Sequence, residues 1–124
     1  MKKFLLCLAS AIGLGCSAQI PTLEPKAFVH KAQADSSAVI LDVRQPSEFA
    51  DGHIPGAINI DWLNRAEFNR EIKELPKDKT YYIYCRSGRR SHEAATKMAS
   101  EGFSVIDMKG GILSYESSGL PLEK

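Results

Sequence analysis

Cysteine is scarce in this chain, with three in 124 residues. Two of them, Cys7 and Cys16, fall near the N-terminus, so the body of the chain keeps only Cys85. A lone thiol excludes an internal disulfide framework, and Cys85 is therefore either intermolecular or free. The histidines His30, His53 and His92 show no metal-ligand spacing with one another or with a cysteine, which leaves no metal site to propose. An excess of either charge is also lacking. Sixteen Lys and Arg face fifteen Asp and Glu, a formal net charge of +1. Such balance argues against a nucleic-acid or membrane-surface protein. No apolar run reaches the about 20 residues that span a bilayer. Internal repeats, linkers and low-complexity segments are missing too, and the length suits a single domain.

The first eighteen residues read as a leader rather than as part of that domain. Lys2 and Lys3 form a basic start, Phe4 to Leu14 is apolar, and Gly15-Cys16-Ser17-Ala18 is small. That order is the layout of a secretory signal peptide. Cys16 and Ala18 suit a cut before Gln19. A second route is a lipobox ending at Gly15-Cys16, which would lipidate Cys16 and anchor the chain to a membrane. The lipobox match is imperfect, because Gly13 stands where leucine is usual. The soluble cut is the preferred reading. Either way the expectation is an exported, periplasmic protein of bacterial type, with a body charge of about −1 once Lys2 and Lys3 are gone. A free thiol in an oxidising compartment needs a reducing partner or a sulfur-loaded resting state.

Beyond a short leader over Gln19 to Glu24, strand-like and helix-like segments alternate. Helices are expected over Pro25–Ala34, Pro46–Ala50, Asn64–Leu75, Ser91–Ser100 and Ile112–Glu116. Strands are expected over Ala38–Val43, Gly56–Ile60, Thr80–Cys85 and Phe103–Met108. This alternation predicts an α/β domain of three layers, with a mostly parallel central sheet flanked by helices. Ligands in such sheets sit at the carboxyl ends of strands.

Cys85 ends the most aromatic strand, Thr80-Tyr81-Tyr82-Ile83-Tyr84-Cys85, and opens the loop Cys85-Arg86-Ser87-Gly88-Arg89-Arg90-Ser91. Three arginines and a following helix start surround the sulfur. Guanidinium groups and a helix N-terminus both stabilise a thiolate, which is the nucleophilic form. A glycine-centred loop can also aim backbone N–H groups inward at an anion. Gly88 is the backbone element of that loop. Ser87 and Ser91 can cap or donate, with Ser91 a candidate helix cap. Arg89 is equally readable as a solvated surface charge.

Three separated blocks occur in order: Leu41-Asp42-Val43-Arg44 with Glu48-Phe49 and Gly52-His53-Ile54-Pro55-Gly56-Ala57-Ile58-Asn59; the Cys85 loop; and Gly110-Gly111-Ile112, with Leu113 where tryptophan is usual. Together they resemble a single-domain rhodanese over roughly residues 22–122. The resemblance implies a sulfurtransferase that carries sulfur as a Cys85 persulfide. Thiosulfate or a persulfide would be the donor, and cyanide or a thiol the acceptor. No cofactor is implied. It also implies that Arg86 and Arg90, with the loop N–H groups, bind the anionic donor, and that Arg86 helps set donor selectivity. Asp42 and Arg44 take a supporting role, with Arg44 expected to pair with Glu48 or with backbone near the loop. His53 reads as a turn residue and Trp62 as packing, with a place at the site mouth as its alternative. A protein acceptor or thiol reductase is a possible partner, and nothing demands more than a monomer. Related phosphatases and arsenate reductases carry one more residue between cysteine and the last arginine, so the four residues between Cys85 and Arg90 favour sulfur over phosphate. A sulfur carrier that turns over small donors poorly remains the second reading.

Overall fold

The computed structural model describes residues 19–124. The proposed leader and both of its processing routes lie outside the described residues. The sheet is parallel throughout, with strands β1 (Thr22–Leu23), β2 (Ala38–Asp42), β3 (Ile58–Asn59), β4 (Thr80–Tyr84) and β5 (Ser104–Met108) in the order β1-β5-β4-β2-β3. Five helices connect or follow them: α1 (Pro25–Gln33), α2 (Pro46–Asp51), α3 (Arg65–Ile72), α4 (Arg89–Ser100) and α5 (Gly111–Ser117).

Side chains alternate across a strand, so each strand serves both faces of the sheet. On β4, Tyr81 and Ile83 join Cys85 against Phe68 and Ile72 of α3 and Ala94, Ala95 and Met98 of α4. Tyr82 and Tyr84 point the other way, against Phe28 and Ala32 of α1 and Ile112 and Tyr115 of α5. Phe28 meets Tyr82 edge-on at 5.5 Å, and Tyr81 meets Phe103 edge-on at 5.6 Å. Burial on both faces is why these strands read as apolar runs rather than as alternating ones.

Several boundaries differ from the sequence reading. The expected leader contains β1, whose two residues pair with Asp107 and Met108; so short a strand leaves no periodic signal. The strand expected over Gly56–Ile60 is two residues long, because Gly56 (φ +86°) still belongs to the turn. Helix α3 stops at Ile72 rather than at Leu75. Helix α4 begins at Arg89, two residues before the expected start. Gly88, at φ +109°, turns the chain into it.

Candidate active site

Cys85 follows β4 directly and is fully buried. The Gly88 N–H donates to its sulfur at 3.1 Å. The loop carbonyls are turned outward: Cys85 O accepts from Ile112 N–H at 2.9 Å, and Arg86 O from Leu113 N–H at 3.2 Å. In a planar trans peptide the N–H points opposite to the C=O. The N–H groups of Arg86 and Ser87 therefore face the concave side of the loop, and among the described residues no backbone acceptor takes them. The first N–H groups of α4 have no intrahelical partner either. The loop is thus an anion nest closing on a sulfur atom.

The Gly110-Gly111 pair makes this closure possible. A Cβ on Gly111 would lie 2.2 Å from Arg86 O and 2.3 Å from its carbonyl carbon, so the start of α5 presses directly on the loop backbone. Gly111 also sits at φ +63°, a region that disfavours a side chain.

The structure separates the arginines. Arg90 forms a two-pronged pair with Glu48 of α2, Nη1 to Oε1 at 2.8 Å and Nη2 to Oε2 at 3.0 Å. The Arg90 hydrogen bonds lead in holding the Glu48 carboxyl down at about 2; burial opposes them, and the Gln45 N–H assists. The same bonds raise Arg90 above its ordinary value. Of the two partners expected for Arg44, Glu48 or backbone near the loop, it does not take Glu48; it pairs with Asp42, two residues away, with Nη2 2.7 Å from Oδ2 and Nε 3.0 Å from Oδ1. It also donates to Gly52 O at 2.7 Å. The reason is register: Asp42 ends β2 beside Arg44, whereas Glu48 projects from α2 toward α4. Burial opposes the charge on Arg44, but the Asp42 hydrogen bonds carry its guanidinium above the ordinary value. Arg89 is exposed to solvent, 3.9 Å from Glu93. Arg86 is exposed and has no ion pair among the described residues.

Ser91 does not cap α4. It lies inside the first turn, buried, with its hydroxyl donating to Gly88 O at 3.3 Å. With α4 starting at Arg89, the cap position falls to Gly88. Ser87 is exposed on the loop. His53 is a turn residue whose Nδ1 is 2.9 Å from Phe49 O and whose ring stacks on Phe49. Trp62 is packed, with its Nε1 donating to Glu93 at 3.0 Å and Arg65 over its ring.

Some structural supports were not singled out from the sequence. The Tyr84 hydroxyl accepts the Ile54 N–H at 3.0 Å, tying the His53 turn to the end of β4. Burial raises the Tyr84 phenol, which keeps it neutral. Asn59 Nδ2 donates to Asp42 O and Arg44 O, both at 2.9 Å. A tyrosine directly before the loop cysteine and an asparagine closing an apolar strand were the available signals.

Beside the loop is a cavity of about 310 Å³, lined by Arg44, Glu48, Arg86, Leu113, Glu116 and Leu122 among others. A larger one, about 530 Å³, lies on the α1 side against Val29, Ala32, Ile40 and Leu120, and no residue of the Cys85 loop lines it. Of the two, the smaller is the one that a loop residue, Arg86, lines.

Against known proteins, the rhodanese-like domain model matches residues 26–118. A sulfurtransferase of Allochromatium vinosum is 38% identical over 91 residues, covering 72% of this chain and 82% of its own. The putative sulfurtransferase YtwF of Bacillus subtilis is 31% identical over 103 residues, covering 83% of this chain and 97% of its own. The crystal structure of a rhodanese-related protein from Thermoplasma volcanium superposes with a TM-score of 0.74 at 29% identity, over 83% of this chain and 97% of that one. Matched across most of its length in sequence and in fold, this chain belongs to the rhodanese-like domain family.

Proposed function

We propose that this protein transfers sulfane sulfur through a persulfide on Cys85. The observation that carries the reading is the Gly88 N–H on the Cys85 sulfur, inside a loop whose other N–H groups also face inward. In the first step the Cys85 thiolate attacks the outer sulfur of thiosulfate. The new S–S bond forms as the old one breaks, and sulfite leaves with the bonding pair. In the second step a nucleophile such as cyanide or a thiol attacks the outer sulfur, and the thiolate of Cys85 is regenerated. Splitting one transfer into two displacements is the advantage of a covalent intermediate. Preorganised N–H donors and the unpaired Arg86 suit a doubly charged leaving group. A persulfide donor would use the same nest.

We read the physiological setting as export, with a thiol reductase or a sulfur-acceptor protein as partner. Intact mass spectra before and after thiosulfate, beside a Cys85→Ser variant, test the central step. The expected result is gain of one sulfur on the wild type only, removed by cyanide. No gain on a folded, reduced protein would overturn the thiosulfate reading. A persulfide that forms but passes only slowly to small acceptors would favour the sulfur-carrier role.

A further inference from the structure

Asp107 is a charged side chain buried behind the loop and unused in the steps above. It lies on β5, and its side chain is 4% exposed. Its Oδ1 has no hydrogen-bond partner among the described residues. Burial raises its carboxyl above the ordinary value, while the Ser91 hydroxyl, His92 and the Met108 N–H pull the other way. An under-satisfied carboxylate in a parallel strand costs stability, so the position calls for another reason.

Its place in the sheet supplies one. Asp107 pairs with Ile83, two residues before Cys85. At ~3.3 Å per residue and ~4.8 Å between strands, its Cα lies about 8 Å from that of Cys85. Alternation puts Asp107 on the same face as Val105 and Cys85, under the first turn of α4. His92 Nδ1 of that turn stands 3.8 Å from its Oδ2, while the hydroxyl of the neighbouring Ser91 gives its one proton to Gly88 O. The positive end of α4 therefore faces two negative claimants: the carboxylate behind it, and the thiolate or donor anion in front.

We propose that Asp107 is a positioning residue whose charge, set against the N-terminus of α4, limits how tightly the loop holds anionic sulfur and the sulfite it releases. The anion part rests on the sulfur-transfer reading; the effect on the thiol does not. The charged groups around this arrangement are few. His92, on α4, stands 3.8 Å from Asp107 and is 58% exposed. Thr22, its partner on β1, carries no charge. Arg90, the cation that Cys85 acts on, is held by Glu48. The restraint operates while Asp107 is ionised and fades as the carboxyl protonates in acid.

Two variants test it: Asp107→Asn, which keeps the shape, and Asp107→Val, which suits a buried strand. The rate of Cys85 alkylation by iodoacetamide is followed against pH, with the labelled peptide identified by mass. A unit charge about 8 Å away, at an effective dielectric constant of about 40, changes a thiolate equilibrium by about five-fold. Each variant should alkylate about five-fold faster on the acid side of the wild-type curve. The KM for thiosulfate should fall by a similar factor, with the denaturation midpoint held or raised. An unmoved alkylation curve in either folded variant would overturn the proposal, as would a slower reaction with a lowered midpoint. Should Asp107→Asn not fold, Asp107→Val decides alone; should neither fold, Asp107 is structural and the proposal fails. Faster alkylation with no persulfide on the wild type would instead remove the sulfur-transfer reading and leave this one standing.

Discussion

The Glu48–Arg90 pair offers the sharpest test of how this site is held together. It joins α2 to α4 across the loop, with side chains only 24% and 20% exposed. The Glu48 carboxyl is held at about 2, against an ordinary 4.5, chiefly by the two Arg90 hydrogen bonds. That lowering corresponds to about 3 kcal/mol of preference for the ionised form in the folded state. Screening of a partly exposed pair reduces that to about 1–2 kcal/mol. Because the folded value is depressed, the contribution is present above the unfolded value and is lost as pH falls through about 4.5 toward 2.

Glu48→Gln should therefore lower stability at pH 7 by about 1–2 kcal/mol. In a domain of about 100 residues this is roughly 5–10 °C in Tm. The difference between wild type and variant should narrow as pH falls from about 5 to 2, since acid removes from the wild type what the substitution has already removed. Urea unfolding across that range, with Arg90→Ala and the double variant completing a cycle, gives the coupling directly. A coupling energy near zero would refute the reasoning, as would a variant whose stability parallels the wild type at every pH.

Four further outcomes follow from the same geometry. Gly111→Ala should cost several kcal/mol and collapse the persulfide yield, since the new Cβ meets Arg86 O at 2.2 Å. Gly56→Ala is its control: with nothing within 4 Å, it should cost only the ~1–2 kcal/mol of left-handed backbone, read by thermal unfolding. Tyr84→Phe strands the buried Ile54 N–H and should lose about 1–3 kcal/mol in urea unfolding. Arg86→Gln should leave Tm unchanged while raising the KM for thiosulfate about tenfold or more, because this exposed arginine has no ion pair among the described residues to lose.

The alternation of apolar strands and amphipathic helices was legible because each long element obeys one period. Tyr81 and Ile83 face one way, Tyr82 and Tyr84 the other, and Ala94, Ala95 and Met98 mark one side of α4. The elements that escaped or shrank are those too short for a period, such as β1 and β3. The start of α4 was misplaced because Ser91 is the better cap by residue type, while Gly88 has the backbone freedom the turn demands. Asp107 was hidden by its surroundings: in Ser104-Val105-Ile106-Asp107-Met108 the pattern marks a buried strand, and nothing local says what the carboxylate faces.

The arginines show where a sequence stops being informative. Arg44, Arg86, Arg89 and Arg90 are four equal cations in a composition, and a cluster of them beside a cysteine suggests a strongly positive pocket. Pairing depends on residues far apart in the chain, and it divides them unequally. Asp42 takes Arg44, Glu48 takes Arg90, Glu93 lies near Arg89, and Arg86 is left facing the cavity. A doubly charged donor at Cys85 would therefore meet one exposed guanidinium and a set of fixed N–H dipoles rather than several free cations. Fixed dipoles cost little to reorganise as charge moves from thiolate to leaving group, whereas a long side chain must be ordered at each encounter. Loop shape, set by Gly88 and Gly111, should accordingly weigh on the rate of sulfur transfer, and Arg86 on the affinity for the donor.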